Sequence, residues 1–243
     1  MDQPVRRRVE RVRHELKRRE LVVARVAQLS PHVRAITFSG EALAGFVSAS
    51  FDDHVKLILD AGDDTPVLRD YTPRSWDLAA GELTIEFALH ADGPASRWAA
   101  QAAPGDRATI GGPRGSFIIP ADYEWHLLAG DASALPAIAR RLEELPSGTR
   151  VSVIAQVDPA DRRPLATSAD VSLQWVDSSQ ALQDAVRAFE LPAGEGYAWC
   201  AGEAADTAAL RRILVEGKGH DRHAIRAAAY WKRGAAAHHE NLE

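Results

Sequence analysis

The run Arg69-Asp70-Tyr71-Thr72-Pro73-Arg74 brings a cation, an aromatic ring and a hydroxyl close together. In an extended strand Arg69 and Tyr71 project to one face, so a guanidinium could meet a phosphate while the ring lies against a flat heterocycle. Thr72 adds a hydroxyl at the strand's end, where Pro73 holds it extended and removes a ladder donor. Taken alone, the run equally fits a snorkelling base beside a packed aromatic. A second segment, His90-Ala91-Asp92-Gly93-Pro94-Ala95-Ser96-Arg97-Trp98, reads as a helix start. Gly93 permits close backbone approach, Pro94 suits the first helical position, and Ser96 offers a hydroxyl beside unpaired amides. Such an end attracts anions and would stabilise a pyrophosphate. An ordinary capped helix carrying Trp98 into a core is the alternative.

Two kinds of element must position these groups. From Leu21 to about Pro113 the chain reads as short runs separated by turns: LVVARVAQL, VRAITF, HVKLIL, VLRDYT, ELTIEFALH and DRATIGG. In ELTIEFALH, Leu83, Ile85, Phe87 and Leu89 alternate with Glu82, Thr84 and Glu86, the period of a strand with one buried face. Turn residues at 60–64 and 79–81 suit hairpins. These runs predict an antiparallel β-barrel. Beyond Tyr123 apolar strands alternate with helical stretches: WHLLAG, RVSVIAQV, VSLQWV, GYAWCAG and HAIRAAAYW as strands, ALPAIARRLEEL, SSQALQDAVRAFEL and EAADTAALRRILVEG as helices. Parallel neighbours need crossovers, so this half predicts an α/β parallel sheet covered on both faces. GPRGSFIIP carries linker chemistry, which divides the chain into a basic arm over 1–20, a barrel over 21–119 and an α/β domain over 120–243.

A parallel sheet binds ligands outside the carboxyl ends of its strands, which here collects Gly130-Asp131, Asp158 and Gly202-Glu203 around one crevice. The chain lacks a G-x-G-x-x-G fingerprint, and GDASALP by itself is a good strand-to-helix turn. Asp158 could accept from a ribose 2′-OH while Arg162 and Arg163 could meet a 2′-phosphate, so NADH and NADPH both remain open.

Composition narrows the class. Hydrophobic residues make up 46% and charged ones 26% of 243 residues, which excludes disorder. A net charge of −5 argues against nucleic acid as a partner. The mixed-charge run from Arg6 to Arg19 predicts a solvated arm or short helix. Cys200 is the lone cysteine, so no intrachain disulfide forms, and a small buried side chain is expected there. No apolar stretch is long enough to span a bilayer and MDQPVRRRVE has no apolar leader, so a cytoplasmic protein without a membrane span is expected. His54, His90, His238 and His239 form no convincing ligand set, and no metal site is predicted.

An Arg-x-Tyr-Thr strand end followed by a Gly-rich helix start resembles the flavin signature of the ferredoxin-NADP reductase superfamily. The blocks DDHVKL, LRDYTPRSWD, ALHADGPASRWAAQAAPGDRATIGGPRGSF, LLAGDASALPAIARRLEELP, WCAGEAADTAALRRIL and AYWKRG, in this order over about residues 21 to 234, resemble the narrower siderophore-interacting proteins, the ferric-siderophore reductases. The resemblance implies FAD, with Arg69 on its pyrophosphate, Tyr71 stacked on the isoalloxazine, Thr72 near flavin N5, and His90, Gly93, Pro94, Ala95 and Ser96 completing the cofactor site. It makes the loop with Asp131 and Ala134 the first nucleotide loop and Gly202-Glu203 the nicotinamide-side loop for NADPH or NADH. Many ferric siderophores are anionic, so Lys56, Lys232 and Arg233, with Arg74 nearby, are the expected substrate cations. Ala229 stands where the family usually has glycine. The implied activity is ferric-siderophore reduction by a monomer, with a different electron acceptor or a non-catalytic binding module as alternatives.

Overall fold

Alternation in the first half produces β1 (Glu10–Arg13), β2 (Arg18–Ser30), β3 (Val33–Ser39), β4 (Val55–Leu59), β5 (Val67–Tyr71), β6 (Pro73–Asp77), β7 (Glu82–Ala88), α1 (Pro94–Gln101), β8 (Arg107–Gly111) and β9 (Gly115–Ile118). The computed structural model describes residues 9–59, 66–89, 93–235 and the backbone of 240–242. The proposed turn at 60–64, together with His90, His238 and His239, lies outside the described residues. Seven strands form one antiparallel sheet in the order β5-β4-β8-β2-β3-β7-β6. β5 and β6 are therefore opposite edges, yet only Thr72 separates them in sequence. Consecutive Cα atoms lie about 3.8 Å apart, so the sheet must curl until its edges meet at that residue. Leu21, Val23, Ile36, Phe38, Leu57, Leu83, Ile85 and Phe87 fill the inside. Pro73 does not end pairing: it opens β6, a strand that the sequence reading leaves out, whose edge position tolerates the missing donor.

The basic run is corrected from residue 10 onward. Glu10–Arg13 pairs with β9, and Arg18–Val22 pairs with β8. Arg19 is 4% exposed, its guanidinium donating to the Gly112 carbonyl at 2.9 Å and lying over Phe46. The mixed charges alternate with a strand's period, so the chain gains ladder hydrogen bonds while most of the bases still face water.

The second half contains β10 (Trp125–Asp131), α2 (Leu135–Glu144), β11 (Arg150–Gln156), β12 (Asp170–Val176), α3 (Ser179–Ala188), β13 (Gly196–Glu203), α4 (Ala204–Arg212), β14 (Ile225–Trp231) and β15 (Glu240–Leu242). Five parallel strands run β12-β11-β10-β13-β14, with β15 antiparallel at the edge. One face packs on α3 and α4 through Leu182, Val186 and Leu210. The other packs on α2 and also receives Phe51 and Ile119 from the barrel side, with Trp199 and Tyr197 between them. The two halves thus share a dry core rather than a solvated hinge. No helix among the described residues is long and apolar enough to cross a membrane.

Candidate functional site

Register places Tyr71 opposite Val55 and Arg69 opposite Leu57, so both project to the concave face. The Tyr71 ring lies 4.4 Å from Phe87, and burial pushes its phenol up to about 12, the nearby Arg69 charge acting the other way. Tyr71 is consequently a neutral, anchored ring at neutral pH. The Arg69 guanidinium donates to the adjacent Leu68 carbonyl at 2.8 Å and pairs with no carboxylate among the described residues. α1 packs against β3, β5 and β7, the middle one being the strand that carries Arg69 and Tyr71. Gly93 is its extended N-cap with no side-chain cap, and Pro94 opens the first turn. Ala95 and Ser96 in this first turn are buried. Arg34 donates to the carbonyls of Ala99 and Ala100 at 2.7 and 2.6 Å, closing the other helix end. A guanidinium that pairs with no carboxylate among the described residues, a helix start with glycine as its N-cap and an anchored aromatic fit a diphosphate-bearing aromatic coenzyme.

Thr72 is 8% exposed at the sheet seam, and its hydroxyl lies beside the buried Tyr230 phenol near the end of β14. This proximity brings the end of β5 against the second domain. Tyr230 was not singled out from sequence, and the Tyr-Trp pair closing an apolar strand was its only local signal. Asp52, Trp199 and Arg226 were missed likewise. Asp52 accepts from Arg226, from Trp199 Nε1 at 3.2 Å and from Ser50 Oγ at 2.9 Å, a buried tie between the halves. Two adjacent aspartates just before the alternating strand Val55–Leu59 were the legible clue.

In the crevice, Asp131 Oδ1 accepts from Ser133 N at 2.8 Å and Ser133 Oγ at 2.5 Å, while Oδ2 accepts from Glu203 N and Trp231 Nε1, both at 2.8 Å. Asp131 therefore laces the strand ends together. Gly202 has φ of 142°, and a Cβ there would sit 2.5 Å from Asp131 Oδ2. Glu203 caps α4; burial opposes its charge, but the amides of Arg233, Asp206 and Ala205 hold its carboxyl below the usual range. Ala134 is 0% exposed and fills the space in front of Gly130, so its smallness serves strand-to-helix packing instead of dinucleotide approach. Asp158 is exposed after β11, its carboxylate accepting from Ala160 N at 2.8 Å. Arg162 pairs with Asp177, and Arg163 turns away to Glu86.

The expected substrate cations do not form one cluster. Lys56 is 51% exposed on the convex face, paired with Asp70 at 2.7 Å. Lys232 and Arg233 lie exposed in the turn after β14. Arg74 is corrected: its Nη1 and Nη2 meet Glu143 at 2.8 and 2.5 Å and its Nε lies 3.2 Å from Glu86. Two carboxylates neutralise it, so it clamps α2 to the barrel rather than standing free at a mouth. Glu86 likewise is buried by Arg74 and Arg163, although alternation places it on the outer face. Cys200 is buried and its thiol is pushed up to about 12. Among the described residues no group of His, Cys, Asp and Glu is arranged to hold a metal ion.

A family profile described as siderophore-interacting FAD-binding domain matches residues 22–65 and 60–117, and one described as siderophore-interacting protein matches 123–234. An NADPH-dependent ferric-chelate reductase of Escherichia coli K12 is 38% identical over 91% of this chain and 96% of its own length. The ferric vibriobactin reductase ViuB of Vibrio cholerae is 34% identical over 91% of this chain and 93% of its own. The crystal structure of a siderophore utilization protein from T. fusca superposes with TM-score 0.87 at 33% identity, covering 96% of this chain and 99% of that one. With both halves matched in order and relatives spanning nearly its whole length, the chain belongs to the siderophore-interacting protein family.

Proposed function

We propose that this chain is an FAD-dependent ferric-siderophore reductase that passes electrons from NADPH or NADH to chelated Fe(III) and releases Fe(II). The observation that supports the reading is that Arg69 and Tyr71 share one face of β5, which packs on α1, and that the strand ends at Thr72 beside Tyr230 of the second domain. Arg69 and the α1 amides hold the diphosphate, Tyr71 and Phe87 present a flat apolar wall, and Thr72 orients the reactive edge. Bound flavin supplies the conversion of a two-electron donor into two one-electron transfers, which no side chain performs. Fe(II) is held less tightly than Fe(III) by hard oxygen ligands, so reduction frees the iron. Residues 21–119 act as the flavin domain and 120–243 as the nucleotide domain. The backbone of the loops carrying Asp131, Ala134, Gly202 and Glu203 and the exposed Asp158 form the nucleotide rim. Lys56, Lys232 and Arg233 meet the anionic siderophore. The NADPH dependence in the name of the Escherichia coli relative favours NADPH as donor. The protein works as a cytoplasmic monomer.

The test is to purify the chain with FAD, record its visible spectrum, and follow Fe(II) capture by a ferrous chelator from a ferric siderophore with NADPH or NADH. Flavin bands with nucleotide-dependent Fe(II) production are expected. Failure to take up flavin, or flavin uptake without iron reduction, overturns the proposal.

A further inference from the structure

Asp53 is 3% exposed, and its Oδ2 accepts from Ser48 Oγ at 2.9 Å, Ser50 N at 3.1 Å and Ser116 Oγ at 2.6 Å. All three donors are neutral, whereas the adjacent Asp52 is neutralised by Arg226. Burial without a cation raises the Asp53 carboxyl above its ordinary range, outweighing the hydrogen bonds from Ser116, Ser50 and Ser48 that favour its charge. A carboxyl in this setting is a natural place to hold a proton.

Its connections run both ways. Ser116 gives its one hydroxyl proton to Asp53, so it must accept from its other partners, Ala49 N at 3.1 Å and His14 Nε2 at 2.7 Å. His14 is half-buried and lines a hollow of about 240 Å³ beside Arg13, Lys17 and Arg19. On the inner side, β4 begins with Val55 opposite Tyr71, so the strand's preceding turn carries Asp53 toward the level of Pro73. Arg140 Nη1 bridges Ser48 Oγ at 2.8 Å and the Pro73 carbonyl at 3.2 Å, fixing that approach. Tyr230, beside Thr72, feels the charges of both Asp52 and Asp53. A hydrogen-bonded file thus leads from buried Asp53 through Ser116 and His14 to a surface hollow, and Ser48 and Arg140 tie its inner end to the Pro73 carbonyl next to Thr72.

We propose that Asp53, Ser116 and His14 form a proton relay that carries the proton released by the reaction from the domain junction to solvent. The inference rests on the reductase reading, in which NAD(P)H and two Fe(III) give NAD(P)⁺, two Fe(II) and one H⁺. The electrons go to iron, and the proton needs an exit from a buried junction. With Asp53 charged, hydrogen bonds run from His14 through Ser116 to Asp53. Protonated Asp53 takes the reverse order, with His14 in its Nδ1–H tautomer after proton exchange with water of the hollow: the Asp53 O–H bond breaks as a Ser116 O–H forms, and the former serine proton bonds to the free Nε2 lone pair of His14. The imidazolium so formed loses its Nδ1 proton to water, which leaves the Nε2–H tautomer and a charged Asp53. The groups facing this file are Asp52, Tyr230 and, through Ser48, Arg140. At its outer end stand Arg13, Glu15, Lys17 and Arg19.

The experiment compares wild type, His14→Ala, His14→Gln and Asp53→Asn as FAD-loaded proteins, reading Fe(II) production, proton release with an indicator dye, and pH profile. A drop of about tenfold in turnover is expected for each variant at unchanged flavin content, with the acidic limb of the profile shifted. The open hollow admits imidazole, which should restore His14→Ala several-fold and leave wild type and Asp53→Asn unchanged. A readout independent of turnover is the His14 ring tautomer, read from its nitrogen chemical shifts by NMR in flavin-free protein, which Asp53→Asn should change. Wild-type turnover and profile in His14→Ala and Asp53→Asn would overturn the relay. So would a loss that imidazole does not rescue together with a His14 tautomer indifferent to Asp53→Asn, because that pattern marks a purely structural contact. If wild type itself fails to reduce the ferric siderophore, the reductase reading falls, while the NMR readout still decides whether His14 and Asp53 are linked through Ser116.

Discussion

Replacing Arg69 by alanine separates cofactor binding from stability. Among the described residues the Arg69 guanidinium donates to the Leu68 carbonyl at 2.8 Å and pairs with no carboxylate, so its removal strands no opposing charge among them. The unliganded fold should therefore lose no more than about 0.5 kcal/mol, as for ordinary surface substitutions. The FAD diphosphate would lose a charge-assisted hydrogen-bond donor worth about 1.5 to 3 kcal/mol. At about 1.4 kcal/mol per tenfold, affinity should fall by roughly 10- to 100-fold. Quenching of flavin fluorescence on titration gives Kd, and thermal unfolding of flavin-free protein gives the control. The loss should shrink as salt is raised, because part of it is electrostatic. Tyr71→Phe, which keeps the ring against Phe87, should leave Kd nearly unchanged. An Arg69→Ala affinity within about threefold of wild type would refute the diphosphate assignment, since a diphosphate contact cannot be worth less than about 0.7 kcal/mol in such a site.

Other substitutions test the second domain and the junction. Gly202→Ala combines a φ of 142° with a Cβ 2.5 Å from the Asp131 carboxylate, so a loss of about 2 kcal/mol or more is expected in denaturant titrations. Arg74→Ala should lower stability by about 1 to 3 kcal/mol because it strands Glu143 and weakens the hold on Glu86, while KM for the ferric siderophore stays within about twofold. Cys200, buried with its thiol pushed up to about 12, should resist alkylation at pH 8 in the native protein and react when it is unfolded. Burial and the Arg141 charge lower His126 to about 4, below its unfolded value near 6.5, so the unfolded chain binds the extra proton between those limits. Stability should accordingly fall as pH drops from about 6.5 toward 4, at up to about 1.4 kcal/mol per unit, and His126→Gln should flatten this slope in urea titrations.

Much of the fold was legible because strand and helix periods are local. Alternation around Leu83, Ile85 and Phe87 requires nothing but neighbours two apart, and it fixed which face of β7 fills the barrel. The shared face of Arg69 and Tyr71 follows from the same rule, as does the parallel sheet from its strand and helix rhythm. β6 escaped because Pro73 reads locally as a stop, whereas an edge strand needs no donor from it. The basic run escaped because its pairing partner, β9, lies about a hundred positions away.

The sequence by itself determined the two-part architecture, the shared face of Arg69 and Tyr71 and, by its motif order, the family. Only the tertiary structure decided which charges are available: Arg74 and Arg163 are spent on Glu86 and Glu143, Asp131 on the strand ends, and Asp53 on a file ending at His14. The physical reason is that a side chain's availability depends on every partner brought within about 3 Å of it. Those partners come from positions 102 apart for His14 and Ser116 and 174 apart for Asp52 and Arg226, distances across which no local pattern carries information.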